Sequence, residues 1–311
     1  MLFRSEELDE DEKKCYEIIG NGLVDKIELD ILIENREEYK DYYFVFDGNH
    51  NYEYGEFLLN EGFKVFGGTQ FQFNLENDRE FGKEFAESCG LVSPETIEFA
   101  SAEEGISFLS EREEEAFVLK PNEESDNSMT YVPMSEDDAE ANKELISILE
   151  AYSSDSCTDS YILQKRVKGV EVNVEAFFSN GKPYFAHANF EDKFNHQKDS
   201  GEATGCAFDV DFEISMESRL YKETVGKMEE KLTQMNYTGL SDANVIVADD
   251  EVFFLEFCFR LGYNAAPNFF FNLCNKTCLQ TIGDMLDGIT DSISCKSGFG
   301  ASMTVFTDKY K

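Results

Sequence analysis

The chain has 311 residues, enough for two or three packed lobes, and 41% of them are hydrophobic, enough for full cores. Its 64 acidic and 27 basic residues give a formal charge of −37, which argues against nucleic-acid binding through phosphates, since that needs lysine and arginine in bulk. No apolar run is long enough to cross a bilayer, and the acidic start MLFRSEELDEDEKK is unlike a signal peptide, so a soluble cytoplasmic protein without a membrane partner is expected.

In chain order, residues 7–20 fit a short amphipathic helix. Ile27–Ile33 and Tyr43–Phe46 are predicted strands, and Gly55–Asn60 a helix. Val65-Phe66-Gly67-Gly68 is predicted to end a further strand in a glycine turn. This is a small β/α lobe of parallel character with no GxGxxG loop, which argues against a dinucleotide site. A helix is expected over Asn77–Cys89, stopped by Gly90, and another over Ala102–Glu111. Ala116–Leu119 is a strand delivering Lys120, which Pro121 ends. Asp137–Ala151 is a helix. Tyr161–Gln164 and Val170–Phe178 are strands, and Asn180-Gly181 signals a tight hairpin into Tyr184–Ala188. Glu191–Cys206 is predicted to be a long polar loop, the kind that often carries function. Glu217–Met235 and Phe269–Gly288 are predicted helices, and Ala301–Phe306 a last strand.

Gly239–Asn264 carries the most chemistry. It is predicted to be two strands joined by the acidic turn Asp249-Asp250. Alternation puts Phe253, Leu255, Phe257 and Phe259 on a buried face and Glu256, Cys258 and Arg260 on the other. A three-residue turn would set Asp242 directly opposite Glu256. Two facing carboxylates beside an arginine suit a divalent cation carrying a polyphosphate; a plain salt-bridged strand end is the other reading. The eight cysteines (Cys15, Cys89, Cys157, Cys206, Cys258, Cys274, Cys278, Cys295) contain no CxxC pair, so free thiols are expected. Cys274 and Cys278 share a predicted helix face, but no second pair completes a zinc site.

The stretches VFGGTQFQFNLENDREFGKEF, FVLKP, YILQKRVKGVEVNVEAFF and FLEFCFRLGY resemble, in order and spacing, an ATP-grasp ligase. Within that superfamily the chain is similar to phosphoribosylamine–glycine ligase and its shorter viral-type relatives, from about Asp41 to Tyr310. The resemblance implies an α/β (α+β) ATP-grasp fold with a reduced N-terminal β/α lobe and a truncated C-terminal lobe. Its divisions would be a first lobe at 1–75, a linking helical segment at 76–110, a lid at 111–168, a catalytic subdomain at 169–290 and a C-terminal remnant at 291–311.

The resemblance also implies roles. ATP would be bound by Arg79, Lys120, the inter-lobe segment Gln164, Lys165, Arg166 and Val167, then Glu171 at the ribose and Arg260 at the triphosphate. Mg2+ (or Mn2+) would be held by Glu256 and Asp242. Cys258 occupies the next ligand position, where the family typically has asparagine; a thiol suits a hard cation poorly. Lys193 and Arg260 would be catalytic, and Asp199, Gly201, Thr204 and Gly205 would shape the substrate site. The implied reaction joins a small-molecule carboxylate to an amine through an acyl phosphate, and the resemblance allows a homodimer. The lid loop NEESDNSMTY lacks the glycines of the ligases, which leaves a nucleotide-binding or protein-interaction pseudoenzyme as the alternative. An acidic decoy for a cationic protein is a third reading.

Overall fold

The computed structural model describes residues 2–4, 20–112, 114–121, 130–154, 160–196, 200–249, 251–289 and 294–305; side chains are described for all of these except 2–4, 121, 152–154, 194–196 and 200–205. The helix expected over residues 7–20 lies outside them.

The first lobe holds β1 (Leu2–Arg4), β2 (Lys26–Glu28), β3 (Tyr43–Val45) and β4 (Lys64–Phe66), paired in parallel as β1–β2 and β3–β4. The strand expected over Ile27–Ile33 is mostly a helix, Leu29–Glu34. Leu29 and Leu32, three apart, both turn into the core, which is helical rather than strand spacing. Gly67 and Gly68 follow β4 with φ of 75° and 63°. A Cβ on Gly67 would lie 2.5 Å from the Phe46 carbonyl oxygen, so only glycine makes this turn against β3. The helix expected over Asn77–Cys89 is present as Arg79–Ser88, and a further helix, Gln70–Asn77, precedes it. The earlier helix is nucleated by a capping box between Thr69 and Gln72, and Asp78 caps the later one.

The lid is a three-stranded antiparallel sheet, β5 (Thr96–Phe99), β7 (Tyr161–Lys165) and β6 (Phe117–Pro121) in that order. Helices Ala102–Ser110 and Asp138–Ser154 cover one face. Leu109, Phe117, Leu119, Leu145, Leu149 and Leu163 form their shared core. Residues 96–110 therefore belong to the lid and are not a separate linker.

The large sheet has six antiparallel strands in the order β12 (Glu251–Glu256), β11 (Gly239–Ala248), β8 (Val170–Ser179), β9 (Lys182–His196), β10 (Ser200–Ile214), β13 (Gly300–Met303). Asn180 and Gly181, both at positive φ, turn β8 into β9 as the sequence predicts. Of the segment expected to be a loop, Glu191–Cys206, residues 191–196 lie on β9 and 200–206 on β10, with Ser200 opposite His196 and Ala203 opposite Phe194. β13 closes the sheet edge, so residues 300–303 belong to the large sheet and not to a separate lobe remnant. One sheet face packs Val172, Val174, Ala176 and Phe178 against Leu75, Ala86, Tyr221 and Leu232.

The helix expected over Glu217–Met235 is broken into Arg219–Glu223, a 3-10 turn Val225–Met228 and Glu229–Gln234. The break falls at Thr224, whose hydroxyl donates to the Leu220 carbonyl at 2.6 Å. The predicted helix Phe269–Gly288 is likewise divided, into a short turn Phe269–Leu273 and a capped helix Cys278–Leu286.

Candidate functional site

The β11–β12 register differs from the expected one. Ala248 faces Glu251, so the turn has two residues, and Asp249 adopts φ 46°. Val245 then faces Phe254 but Asn244 faces Glu256, leaving Leu255 as a bulge residue. The bulge rotates the strand end. Phe254, Phe257 and Phe259 reach the core, whereas Phe253 and Leu255 are only half-buried, contrary to the simple alternation. Glu256 therefore meets Asn244 across the ladder, and Asp242 sits deeper, opposite Glu175.

Asp242 is 1% exposed and accepts the Cys258 backbone N–H at 3.0 Å. Burial, reinforced by Glu175, raises its pKa well above the usual carboxylate range. Burial likewise raises the Cys258 thiol, with Asp242 and Glu256 adding to the effect, which favours a neutral sulfur. Asp242 is thus a buried carboxylate beside Glu175, and Cys258 a half-buried neutral thiol. Asn244 was missed, because seeing it opposite Glu256 requires knowing where the bulge falls. Its Nδ2 donates to Glu171 Oε1 at 2.9 Å, and its buried Oδ1 has no hydrogen-bond partner among the described residues.

Across the same sheet face lies a buried charge cluster that the sequence did not disclose. His187 Nε2 is 3.2 Å from Glu175 and Nδ1 is 3.3 Å from Asp211, with the ring stacked 4.1 Å from Phe269. Burial opposes the imidazolium, but Glu175 and Asp211 outweigh it and push the pKa up to about 10. Burial pushes Asp211 up to about 8. Asn268 donates to Asp211 at 2.6 Å and to Asp209 at 3.2 Å, so the end of the short helix Ala265–Asn268 is tied to the sheet.

Above this floor the lid delivers Lys120. Burial lowers its pKa; Glu256 and Glu171 oppose that effect while Arg79 and Lys193 add to it. These five charged groups, from β6, a helix start, β8, β9 and β12, therefore share one electrostatic neighbourhood. Arg79 is lowered by burial against the pull of Glu256. Lys193 lies 3.0 Å from Glu171, and despite burial its pKa is raised by Glu171, Glu256 and Glu191. Glu191, also on this face, is pushed up to about 7 by burial, with Lys193 opposing and Glu175 adding to the effect. Lysine and arginine beside open carboxylates can hold a phosphate chain with its cation.

Three other groups of expected site residues behave differently. Arg260 Nε binds Glu76 Oε1 at 2.7 Å, and Glu76 Oε2 accepts from Asn49, so this guanidinium is already engaged by the first lobe. In the inter-lobe segment the Lys165 and Arg166 N–H groups donate to the carbonyls of Glu95 and Ala116, each at 2.8 Å, and so are spent within the lid. Their side chains, with Arg112, Glu115, Asp138 and Lys168, line a cavity of about 930 Å³, in which Lys165 pairs with Glu115 and Arg166 with Asp138. Gln164 donates to Thr96 at 3.2 Å, and Val167 is half-buried. Of the substrate residues, Asp199 lies outside the described residues, while Gly201, Thr204 and Gly205 lie on β10 rather than in a loop.

Among the described residues no three His, Cys, Asp or Glu side chains form a metal-binding group, and no helix is long and apolar enough to cross a membrane. Residues 77–265 match the family model of the phosphoribosylglycinamide synthetase ATP-grasp (A) domain. The human trifunctional purine biosynthetic protein adenosine-3 is 24% identical over 241 residues, covering 75% of this chain and 23% of that protein; the chain thus spans about a quarter of the length of the curated relatives it matches. Among solved structures, phosphoribosylamine–glycine ligase from Thermotoga maritima aligns with TM-score 0.59 at 14% identity, over 87% of this chain and 68% of that one. A biotin carboxylase–ATP complex from Campylobacter jejuni aligns with TM-score 0.61 at 12% identity, over 96% and 68%. At such identities these structures establish a common fold.

Proposed function

Because the chain belongs to the family of the phosphoribosylglycinamide synthetase ATP-grasp (A) domain, we propose that it is an ATP-dependent carboxylate–amine ligase acting through an acyl phosphate and releasing ADP and phosphate. The observation that carries this reading is the meeting of Lys120, Arg79 and Lys193 with Glu256 and Glu171 between the lid and the large sheet. Lys120 supplies a point charge to phosphate oxygens from above, and Arg79 a second donor from the helix start. Lys193, kept charged by Glu171 and Glu256, positions the acidic substrate or the phosphoryl group leaving ATP.

A divalent cation fits the Glu256–Asn244 pair. The carboxylate is exposed, and the opposed amide oxygen is buried without a hydrogen-bond partner among the described residues. Magnesium is commonly held by one or two protein oxygens together with substrate phosphates, so a fuller cage of side chains is not required. When bound, the cation neutralises charge developing on the transferred phosphoryl. The chain's own residues orient the two substrates; no covalent nucleophile is needed.

The test is ADP release by the purified chain with ATP, magnesium and pairs of small carboxylates and amines, beginning with glycine and phosphoribosylamine. Release that requires both partners supports the proposal. Failure to bind ATP at millimolar concentration would end it.

A further inference from the structure

Residues 273–275 and 294–296 are joined by one antiparallel bridge. Lys296 N–H donates to the Leu273 carbonyl at 2.7 Å and Asn275 N–H to the Ser294 carbonyl at 3.1 Å, and between these bonds Cys274 faces Cys295. A pair flanked by its ladder bonds rather than joined by them is the close kind, with Cα atoms about 4.5 Å apart and neighbouring side chains. Disulfides form where the Cα atoms are roughly 4.4–6.8 Å apart, so a pair of this kind falls at the near end of that range.

Both residues are free thiols. Cys274 is buried and Cys295 half-buried, packed with Cys278 beside Phe270, Leu273 and Ile282. The two sulfurs perturb each other: Cys295 pushes the Cys274 thiol up, and Cys274 pulls the Cys295 thiol down. Cys278 lies across no backbone bridge from either, and burial pushes its thiol up to about 11. The chain following Cys274 also joins the lobes. The Met285 carbonyl, near the end of its helix, accepts from Ser179 on β8 at 2.7 Å, and Asp287 holds Lys64 and Tyr43 of the first lobe.

We propose that Cys274 and Cys295 are a dithiol–disulfide pair that a low-molecular-weight disulfide oxidises, clasping the segment that ties the first lobe to the large sheet. The Cys295 thiolate attacks one sulfur of the small disulfide, forming a mixed disulfide and releasing one thiolate. Cys274 then loses its proton and attacks the Cys295 sulfur; the mixed disulfide breaks and the second small thiol leaves. One small disulfide is reduced to two thiols as two cysteine thiols become one bond.

The test is incubation of the native full chain with oxidised glutathione, alkylation of remaining thiols, and peptide mapping. The expected result is loss of two of the eight thiols, a peptide linking Cys274 to Cys295, and full reversal by dithiothreitol. C278S should give the same link, whereas C274S should stop at a glutathione adduct on Cys295. A link through Cys278 instead, a stable adduct in the unmutated chain, or retention of all eight thiols would overturn the proposal.

Discussion

Arg260, on the segment after β12, and Glu76, at the end of the helix Gln70–Asn77, are joined by an ion pair of 2.7 Å that fastens the strand end to the first lobe. Both side chains are largely buried, so removing one charge strands the other. Glu76→Ala is expected to destabilise the fold by about 1–3 kcal/mol, measured by urea denaturation. If Arg260 also touches the triphosphate, Arg260→Ala should weaken ATP binding while Glu76→Gln, which leaves the guanidinium available, should not. Equal losses of ATP affinity in the two variants would make Arg260 a purely structural residue.

Lys120 should dominate nucleotide affinity. A charge-assisted hydrogen bond contributes about 1.5–3 kcal/mol, so Lys120→Ala is expected to weaken ATP binding roughly 10- to 100-fold by calorimetry. Thermal stability should hold or rise, because burial already lowers this ammonium's pKa. An unchanged dissociation constant would place the nucleotide elsewhere.

Much of the scaffold was legible because local chemistry fixed it. Asn180-Gly181 dictates a tight hairpin, Gly90 at φ 77° ends the helix before it, and the turn after β4 needs its glycines. The site was legible only in part. Lys120, Glu171, Lys193 and Glu256 do converge, but the partner of Glu256 depends on a bulge at Leu255 that alternation cannot reveal. The inter-lobe amides of Lys165 and Arg166 looked available because their acceptors, Glu95 and Ala116, lie far off in sequence. His187 gave no signal either: its two carboxylate partners come from different strands, β8 and β10, and meet it only once the sheet is assembled.

The Glu256–Asn244 pair makes a separable prediction about the metal. Asn244→Ala removes an amide oxygen but leaves the exposed carboxylate, so the magnesium concentration for half-maximal ATP turnover should rise about tenfold, equivalent to ~1.4 kcal/mol, with little change at saturating metal. Cys258→Asn replaces a neutral thiol with an oxygen donor, and the same titration should shift to lower magnesium. A shift in Cys258→Asn but none in Asn244→Ala would move the cation to the Cys258 side of the strand.

The buried His187 cluster makes stability depend on pH with a definite sign. The folded pKa of His187 is about 10, above its ordinary 6.5, and that of Asp211 is about 8, above 3.8. A raised folded pKa gives stability that is complete below the unfolded value and is lost as pH rises through the folded one. The Asp211 share therefore fades from about pH 4 to 8, and the His187 share from about pH 6.5 to 10. Ordinary surface carboxylates are already ionised above pH 6.5 and lysines still charged below 10, so general repulsion changes little in that window. The melting temperature should fall steadily from pH 6.5 to 9.5. Asp211→Asn, which carries no ionisable proton, should flatten the part below pH 8. A melting temperature that rises over this range would show that the folded cluster binds fewer protons than the unfolded chain, which rules out a His187 kept charged by its carboxylates.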